Sequence, residues 1–341
     1  MFNPKGLVGE VLDRRYRLVG FLGEGSFGWV YLAEELVAGK MIGTCAVKLL
    51  RPRTQEQGRL VLNEFIAAAR LSHPGLLRFR GAFDVQQGVC AGALCLAMEL
   101  AEGTLQDRLR AGRRQAPEEV LAVARDLAEV LAWMHGQRAV HRDLKPANVF
   151  RAEDRWKLGD LGLVRAVEGS LVNASESRGT LLYMAPEVLD DLVGPSVDVW
   201  ALGVVLQECL TGVLAYTASN EKTLVKALVA RAPTIVPNLP PPFDAVVRGC
   251  LVKDPRARWT AAQVLGVLSG VSPAAGRPSV VSGLRPQSTS TPGLLEDLDR
   301  LLNGDRDAAS KAPPAAQTRP KPPLALQADL QAFLDQRYPG R

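Results

Sequence analysis

Apolar positions change period along this chain, and the change divides it. Between residues 10 and 100 the runs are short and strand-like. Phe21–Leu22 and Trp29–Leu32 flank a glycine turn and predict a hairpin, and Cys45–Leu50 and Leu94–Met98 predict two further strands. Within this stretch, residues 56–71 carry Leu60, Ala67, Ala68 and Leu71 at helical spacing. From residue 104 onward the pattern is helical. Pro117 suits a first helical turn, Val120, Ala124, Leu127, Leu131 and Met134 follow a 4-3-4-3 spacing, and Gly136 can end the helix. Val197–Leu210 is apolar on nearly every face and predicts a buried central helix. The expectation is a small strand-rich unit at 10–100 and a larger helical unit at 101–270, with a ligand cleft between them.

Near residue 270 the composition shifts. Residues 271–341 hold 10 of the chain's 23 prolines and many Ser, Thr and Ala. Such a segment buries too little apolar surface to offset chain entropy, so a mostly disordered tail is expected. Leu294–Leu302 and Leu324–Leu334 are short amphipathic patches that could dock on the folded body or on a partner. Over the whole chain of 341 residues, 47% are hydrophobic and 23% charged, enough apolar residue for a core without disulfides or metals. The net charge of +5 is too diffuse to argue for nucleic acid, and no nucleic-acid partner is expected. Cys45, Cys90, Cys95, Cys209 and Cys250 are scattered, with no Cys-x-x-Cys pair, and read as buried thiols of a reducing compartment. No apolar run reaches the ~18 residues of a membrane span, and Met1–Gly9 lacks a signal-peptide pattern, so a cytoplasmic protein is expected.

The chemistry begins at Gly23-Glu24-Gly25-Ser26-Phe27-Gly28. A dinucleotide site would need a helix right after such a loop, whereas Trp29-Val30-Tyr31-Leu32 favours a strand. At a hairpin tip these glycines either let backbone N–H groups approach phosphate oxygens or simply make the turn. The motifs that follow decide between the two. Cys45-Ala46-Val47-Lys48, His141-Arg142-Asp143-Leu144-Lys145-Pro146-Ala147-Asn148, Asp160-Leu161-Gly162 and Ala185-Pro186-Glu187 occur in that order. With them, residues 10–270 resemble the eukaryotic-type protein serine/threonine kinases, and VLDRRYRLVGFLGEGSFG is especially similar to bacterial members.

The resemblance implies an α+β, bilobal fold and transfer of the γ-phosphate of ATP, with Mg²⁺ (Mn²⁺ as an alternative), to Ser/Thr hydroxyls of protein substrates. It implies that Lys48 reaches the α and β phosphates, paired with Glu64, which lies on the apolar side of the 56–71 helix. Asp143 accepts or orients the hydroxyl proton, Lys145 neutralises the transferring phosphoryl group, and Asn148 and Asp160 hold the metal. Met98 stands at the back of the adenine pocket, the Glu99 carbonyl and Ala101 N–H read the adenine edge, and Val30, Ala46 and Phe150 sandwich the ring. Asp198 would brace the catalytic loop and Arg258 pair with Glu187.

Leu161 replaces the usual Phe, which bears on the stability of the active conformation and leaves the metal ligand in place. Gly179-Thr180 and Lys145 point to the serine/threonine branch, with Leu181 and Leu182 forming a pocket for the residue after the phosphoacceptor. Arg142 and Arg165 occupy positions that grip an activation-segment phosphate, and Glu176 either stands in for that phosphate, flanked by Ser175 and Ser177, or is a solvated loop residue. Tail hydroxyls at Ser279, Ser282, Ser288, Thr289, Ser290 and Thr291 are expected autophosphorylation sites, through tethering. An activating homodimer and a tail-docking partner are further expectations. The rival classes are a pseudokinase or scaffold, which would dispense with Lys48, Asp143 or Asp160, and a small-molecule kinase, which would lack the Ala-Pro-Glu segment.

Overall fold

The computed structural model describes residues 4–25, 28–50, 71–112, 114–160, 181–190 and 192–271. The expected helix over 56–71 with Glu64, the loop residues Ser26 and Phe27, the activation-segment residues 161–180 and the tail patches lie outside the described residues.

Strand propensity dominates the first part. Strands β1 (Val11–Leu12), β2 (Tyr16–Gly25), β3 (Gly28–Val37), β4 (Lys40–Leu50), β5 (Phe79–Asp84) and β6 (Leu94–Met98) form one antiparallel sheet in the order β1-β2-β3-β4-β6-β5. The predicted glycine hairpin is β2–β3, paired out to Gly25 and Gly28. Strand β4 is buried on both faces over Cys45–Leu50. Its odd positions, Cys45, Val47 and Leu49, join Leu18, Tyr31, Cys95 and Ala97 in one core, while Leu50 packs with Leu94, Leu96 and Met98 on the other face. Alternation of side chains across a strand therefore places Ala46 and Lys48 on the second face.

The second part is helical: α1 (Leu105–Ala111), α2 (Pro117–Gly136), α3 (Pro195–Thr211), α4 (Glu221–Ala230), α5 (Phe243–Cys250) and α6 (Ala261–Leu268). Helix α2 has the predicted bounds, with Val120, Ala124, Leu127, Leu131 and Met134 all buried. It packs against α3 and α6. Helix α3 is buried from Val197 through Gln207, as a helix apolar all round must be. A second sheet, β7 (Gly103–Thr104), β8 (Val149–Ala152) and β9 (Arg155–Leu158), interrupts this helical part. Strands of two to four residues are too short to register as a periodicity, so the sequence pattern missed them. The fold is thus the expected α+β arrangement, strand-rich first and helical after. Leu76, three residues before β5, forms an isolated parallel bridge with Leu158, the last residue of β9.

All five cysteines are buried and free. Among the described residues, no helix is long and apolar enough to cross a membrane.

Candidate active site

Two cross-strand rows line the second face of the large sheet. Val30, Lys48 and Leu96 stand opposite one another, and Leu32, Ala46 and Met98 form the next row. Directly opposed residues share a face, so small Ala46 sits between bulkier neighbours with Lys48 one row away. Lys48 is 6% exposed, and its Nζ donates to Asp160 Oδ1 at 2.7 Å. The Lys48 charge, against the opposing effect of burial, holds the Asp160 carboxyl below its ordinary range. Asp160 has φ +53°, a left-handed conformation uncommon outside glycine. Whether Glu64 also reaches Lys48 lies outside the described residues.

The loop before β8 carries the second group. Lys145 Nζ donates to Asp143 Oδ2 at 2.8 Å and Oδ1 at 3.1 Å. Asn148 Nδ2 donates to the Asp143 carbonyl and to Asp143 Oδ2, both at 2.8 Å. The Asn148 amide thereby turns its nitrogen to Asp143 and keeps its oxygen for another donor or a cation.

The two groups are stitched through Gly159. Its N–H donates to the Asn148 carbonyl at 2.9 Å, and its carbonyl accepts from His141 Nε2 at 3.0 Å. The other ring nitrogen, Nδ1, accepts the Asp143 N–H at 3.3 Å. A carbonyl only accepts and an amide N–H only donates, so the His141 ring carries its proton on Nε2. Gly159 admits no side chain, because a Cβ there would lie 2.6 Å from the Phe150 ring. Lys48, Asp160, Asn148, Asp143 and Lys145 therefore form one connected set.

Beneath this loop, Asp198 in the first turn of α3 accepts three hydrogen bonds. His141 N–H and His135 Nε2 reach Oδ2 at 2.9 and 2.8 Å, and Arg142 N–H reaches Oδ1 at 2.7 Å. Arg142 adopts φ +69°, and these amide bonds hold it there. On the far side of α3, Arg258 Nη2 donates to Glu187 Oε2 at 3.0 Å, with both side chains buried and the guanidinium 4.9 Å from the Trp200 ring centroid. The Ala185-Pro186-Glu187 segment is thereby fixed to the helical core. Of the two residues that follow Gly179-Thr180, Leu181 is buried and Leu182 partly exposed.

After β6 the chain crosses to the second sheet through Glu99–Glu102. The Glu99 N–H donates to the Arg78 carbonyl at 2.8 Å. No other backbone group among the described residues bonds the Glu99 carbonyl or the Ala101 N–H, so an acceptor and a donor two residues apart remain for a ligand edge. Phe150 on β8, partly exposed, lies on the second sheet, opposite Lys157 in the register.

The glycine hairpin differs from residue to residue. At Gly28 a Cβ would stand 2.0 Å from the Leu49 carbonyl oxygen, so β3 approaches β4 there only as glycine. Gly23 and Glu24 pair with Val30 and Trp29, and nothing lies within 4 Å of a Cβ at Gly23. Gly23 is therefore open to a ligand where Gly28 is closed by packing.

The donor set suits a nucleotide with a hard cation. Among the described residues no three His, Cys, Asp or Glu side chains converge on a metal. The Asp160 carboxylate, the Asp143 carboxylate and the Asn148 amide offer oxygens of the kind such a cation takes.

Sequence reasoning missed two residues here. Gly159 gave no signal, since its role depends on where Phe150 falls. Lys157 did give one, a lysine inside the apolar strand Trp156-Lys157-Leu158. Its side chain is 3% exposed and bonds both Glu99 carboxylate oxygens, at 3.1 and 2.9 Å.

Residues 16–267 match the protein kinase domain family. Calcium-dependent protein kinase 9 of Oryza sativa subsp. japonica is 36% identical over 262 residues, 74% of this chain and 44% of that protein. Serine/threonine-protein kinase TIO of Arabidopsis thaliana is 29% identical over 249 residues, 72% and 18% of the two chains. Serine/threonine-protein kinase Nek11 of Homo sapiens is 30% identical over 276 residues, 77% and 41%. The chain spans less than half the length of each of these relatives.

Proposed function

Since the chain belongs to the protein kinase domain family, whose members use ATP with a divalent metal on protein substrates, we propose that it transfers the γ-phosphate of ATP to serine and threonine hydroxyls of proteins. The observation that carries this reading is the connected set of Lys48, Asp160, Asn148, Asp143 and Lys145, drawn from β4, the segment after β9 and the loop before β8. In the reaction the bond from the γ-phosphorus to the β,γ-bridging oxygen breaks, a bond from the hydroxyl oxygen to phosphorus forms, and ADP leaves. Asp143 orients the hydroxyl and takes its proton. Lys145, 2.8 Å from Asp143, offsets charge on the phosphoryl group in transit. Lys48 holds the α and β phosphates, with Glu64 as its further partner. Asp160 and Asn148 would hold the divalent metal, magnesium or alternatively manganese, which when bound would supply screening of phosphate charge. Val30, Ala46, Met98 and Phe150 enclose the adenine, the Glu99 carbonyl and Ala101 N–H read its edge, and Gly23 to Gly28 cover the phosphates.

The side chains that a non-catalytic binder would dispense with, Lys48, Asp143 and Asp160, are all present. Five free thiols support action in a reducing compartment such as the cytoplasm. On sequence alone, Glu176 as a partial phosphate mimic and tail autophosphorylation from Ser279 to Thr291 complete the reading. So do a tail-docking partner and an activating homodimer.

The deciding experiment is transfer of ³²P from γ-labelled ATP to a generic protein substrate, wild type against Asp143→Asn. Wild type should label the substrate, and the variant should fall by ~10²–10⁴-fold while still binding nucleotide. Absence of transfer by wild type, or equal transfer by both, rejects the reading.

A further inference from the structure

Ion pairs at a surface are common and weak, but the one between Glu99 and Lys157 is buried at both ends, 7% and 3% exposed. Taking two charges out of water costs several kcal/mol per ion unless the remaining hydrogen-bonding capacity is met. Here it is met from three segments. Glu99 also accepts the Arg78 N–H through Oε1, at the entry to β5. Lys157 also donates to Glu153 Oε2 at 2.6 Å, on the β8–β9 turn, and Glu153 faces Arg78 at 3.9 Å. Two carboxylates and two cations close a neutral network.

The position of this network in the chain gives it a consequence. Glu99 opens the crossing from β6 to the second sheet, where its own carbonyl and the Ala101 N–H are left for a ligand. Lys157 lies three residues before Asp160 on β9. One side-chain pair thus joins the backbone that would read the base to the strand that delivers the metal-binding carboxylate.

We propose that Lys157 is a positioning residue for nucleotide: through Glu99 it fixes the Glu99–Ala101 backbone against β9, and so sets the distance from the base-reading groups to Asp160. The proposal rests on the nucleotide-binding part of the reading above and not on phosphoryl transfer. Without Lys157, Glu99 is a buried carboxylate left, among the described residues, with the Arg78 amide as its donor. It regains solvation by drawing the crossing segment outward, which moves the two base-reading groups.

Affinity for ATP with Mg²⁺, measured by titration calorimetry on the full chain, tests this without requiring catalysis. Lys157→Met should weaken binding about tenfold, within the range for residues that act on one another. In the transfer assay the loss should appear in KM for ATP more than in kcat. Lys157→Arg keeps the charge and should recover most of the affinity. Lys157→Met combined with Glu99→Gln orphans no buried charge and should bind more tightly than Lys157→Met alone; it also serves if the single variant does not fold. Equal affinity for wild type and Lys157→Met overturns the proposal. So does a double variant weaker by the sum of the two single losses, since that would mean the residues act independently.

Discussion

Replacing Asp198 by Asn is the sharpest test of how α3 shapes the loop from His141 to Asn148. The carboxylate accepts three donors, two on Oδ2 and one on Oδ1. An amide of the same shape has one accepting oxygen, and its NH₂ must face either the Arg142 N–H or the pair at Oδ2. In the better orientation one backbone N–H meets a donor. A hydrogen bond to a charged group contributes about 1.5–3 kcal/mol, and a buried donor left without a partner costs about 1–3 kcal/mol. The remaining two bonds weaken as the charge disappears. A net loss of about 3 kcal/mol is expected, roughly a hundredfold in the folding equilibrium, and survivable in a domain stable by about 5–15 kcal/mol.

Part of that loss is tempered if Arg142 relaxes from φ +69°, which the Asp198 bonds now hold. Relaxation would displace Asp143, the next residue, and a shift of about 1 Å can cost ~10² in rate. Equilibrium urea unfolding and ³²P transfer together read both effects. His135→Phe is the control, since it removes one side-chain donor and neither amide, and should cost about 1 kcal/mol. If Asp198→Asn and His135→Phe lose the same stability, the loop amides are not what Asp198 holds. If Asp198→Asn keeps wild-type stability and rate, the whole account of the loop fails.

Arg258→Met leaves Glu187 buried and uncompensated, and should destabilise by about 3–5 kcal/mol in urea unfolding, with Glu187→Gln added to it recovering part. Gly28→Val puts its Cβ 2.0 Å from the Leu49 carbonyl oxygen, so nucleotide affinity in calorimetry should fall, whereas Gly23→Ala should alter affinity only through the bound ligand. Glu208 accepts the Tyr183 hydroxyl at 2.7 Å, and burial pushes its carboxyl above the ordinary range. A folded value above the unfolded one stabilises at low pH, and that contribution is lost as pH rises through the folded value. Tyr183→Phe removes the bond that restrains the rise, so urea midpoints should fall more steeply between acid and neutral pH than in wild type. Burial pushes the Cys45 thiol up to about 11 and those of Cys209 and Cys250 to about 12. A thiol reagent at mildly alkaline pH should therefore label none of the three in the native protein and all of them after unfolding.

The sequence by itself determined the order of strand-rich and helical parts, the α2 bounds and the buried α3, and it singled out Lys48, Asp143, Lys145, Asn148 and Asp160, which the fold brings together. These follow from local rules: side-chain period, proline and glycine at helix ends, and contiguous motifs such as His141 to Asn148. Tertiary structure alone decided which donors those residues face. That Lys48 meets Asp160 and that Lys157 closes on Glu99 depends on segments 112 and 58 residues apart, and that Gly159 must be bare depends on where β8 sets the Phe150 ring. The short β7–β9 sheet that brings them together has too few residues per strand to leave a period. A buried lysine is visible in a sequence as an oddity, but its partner is chosen by packing, because only the folded chain decides which charges are removed from water together.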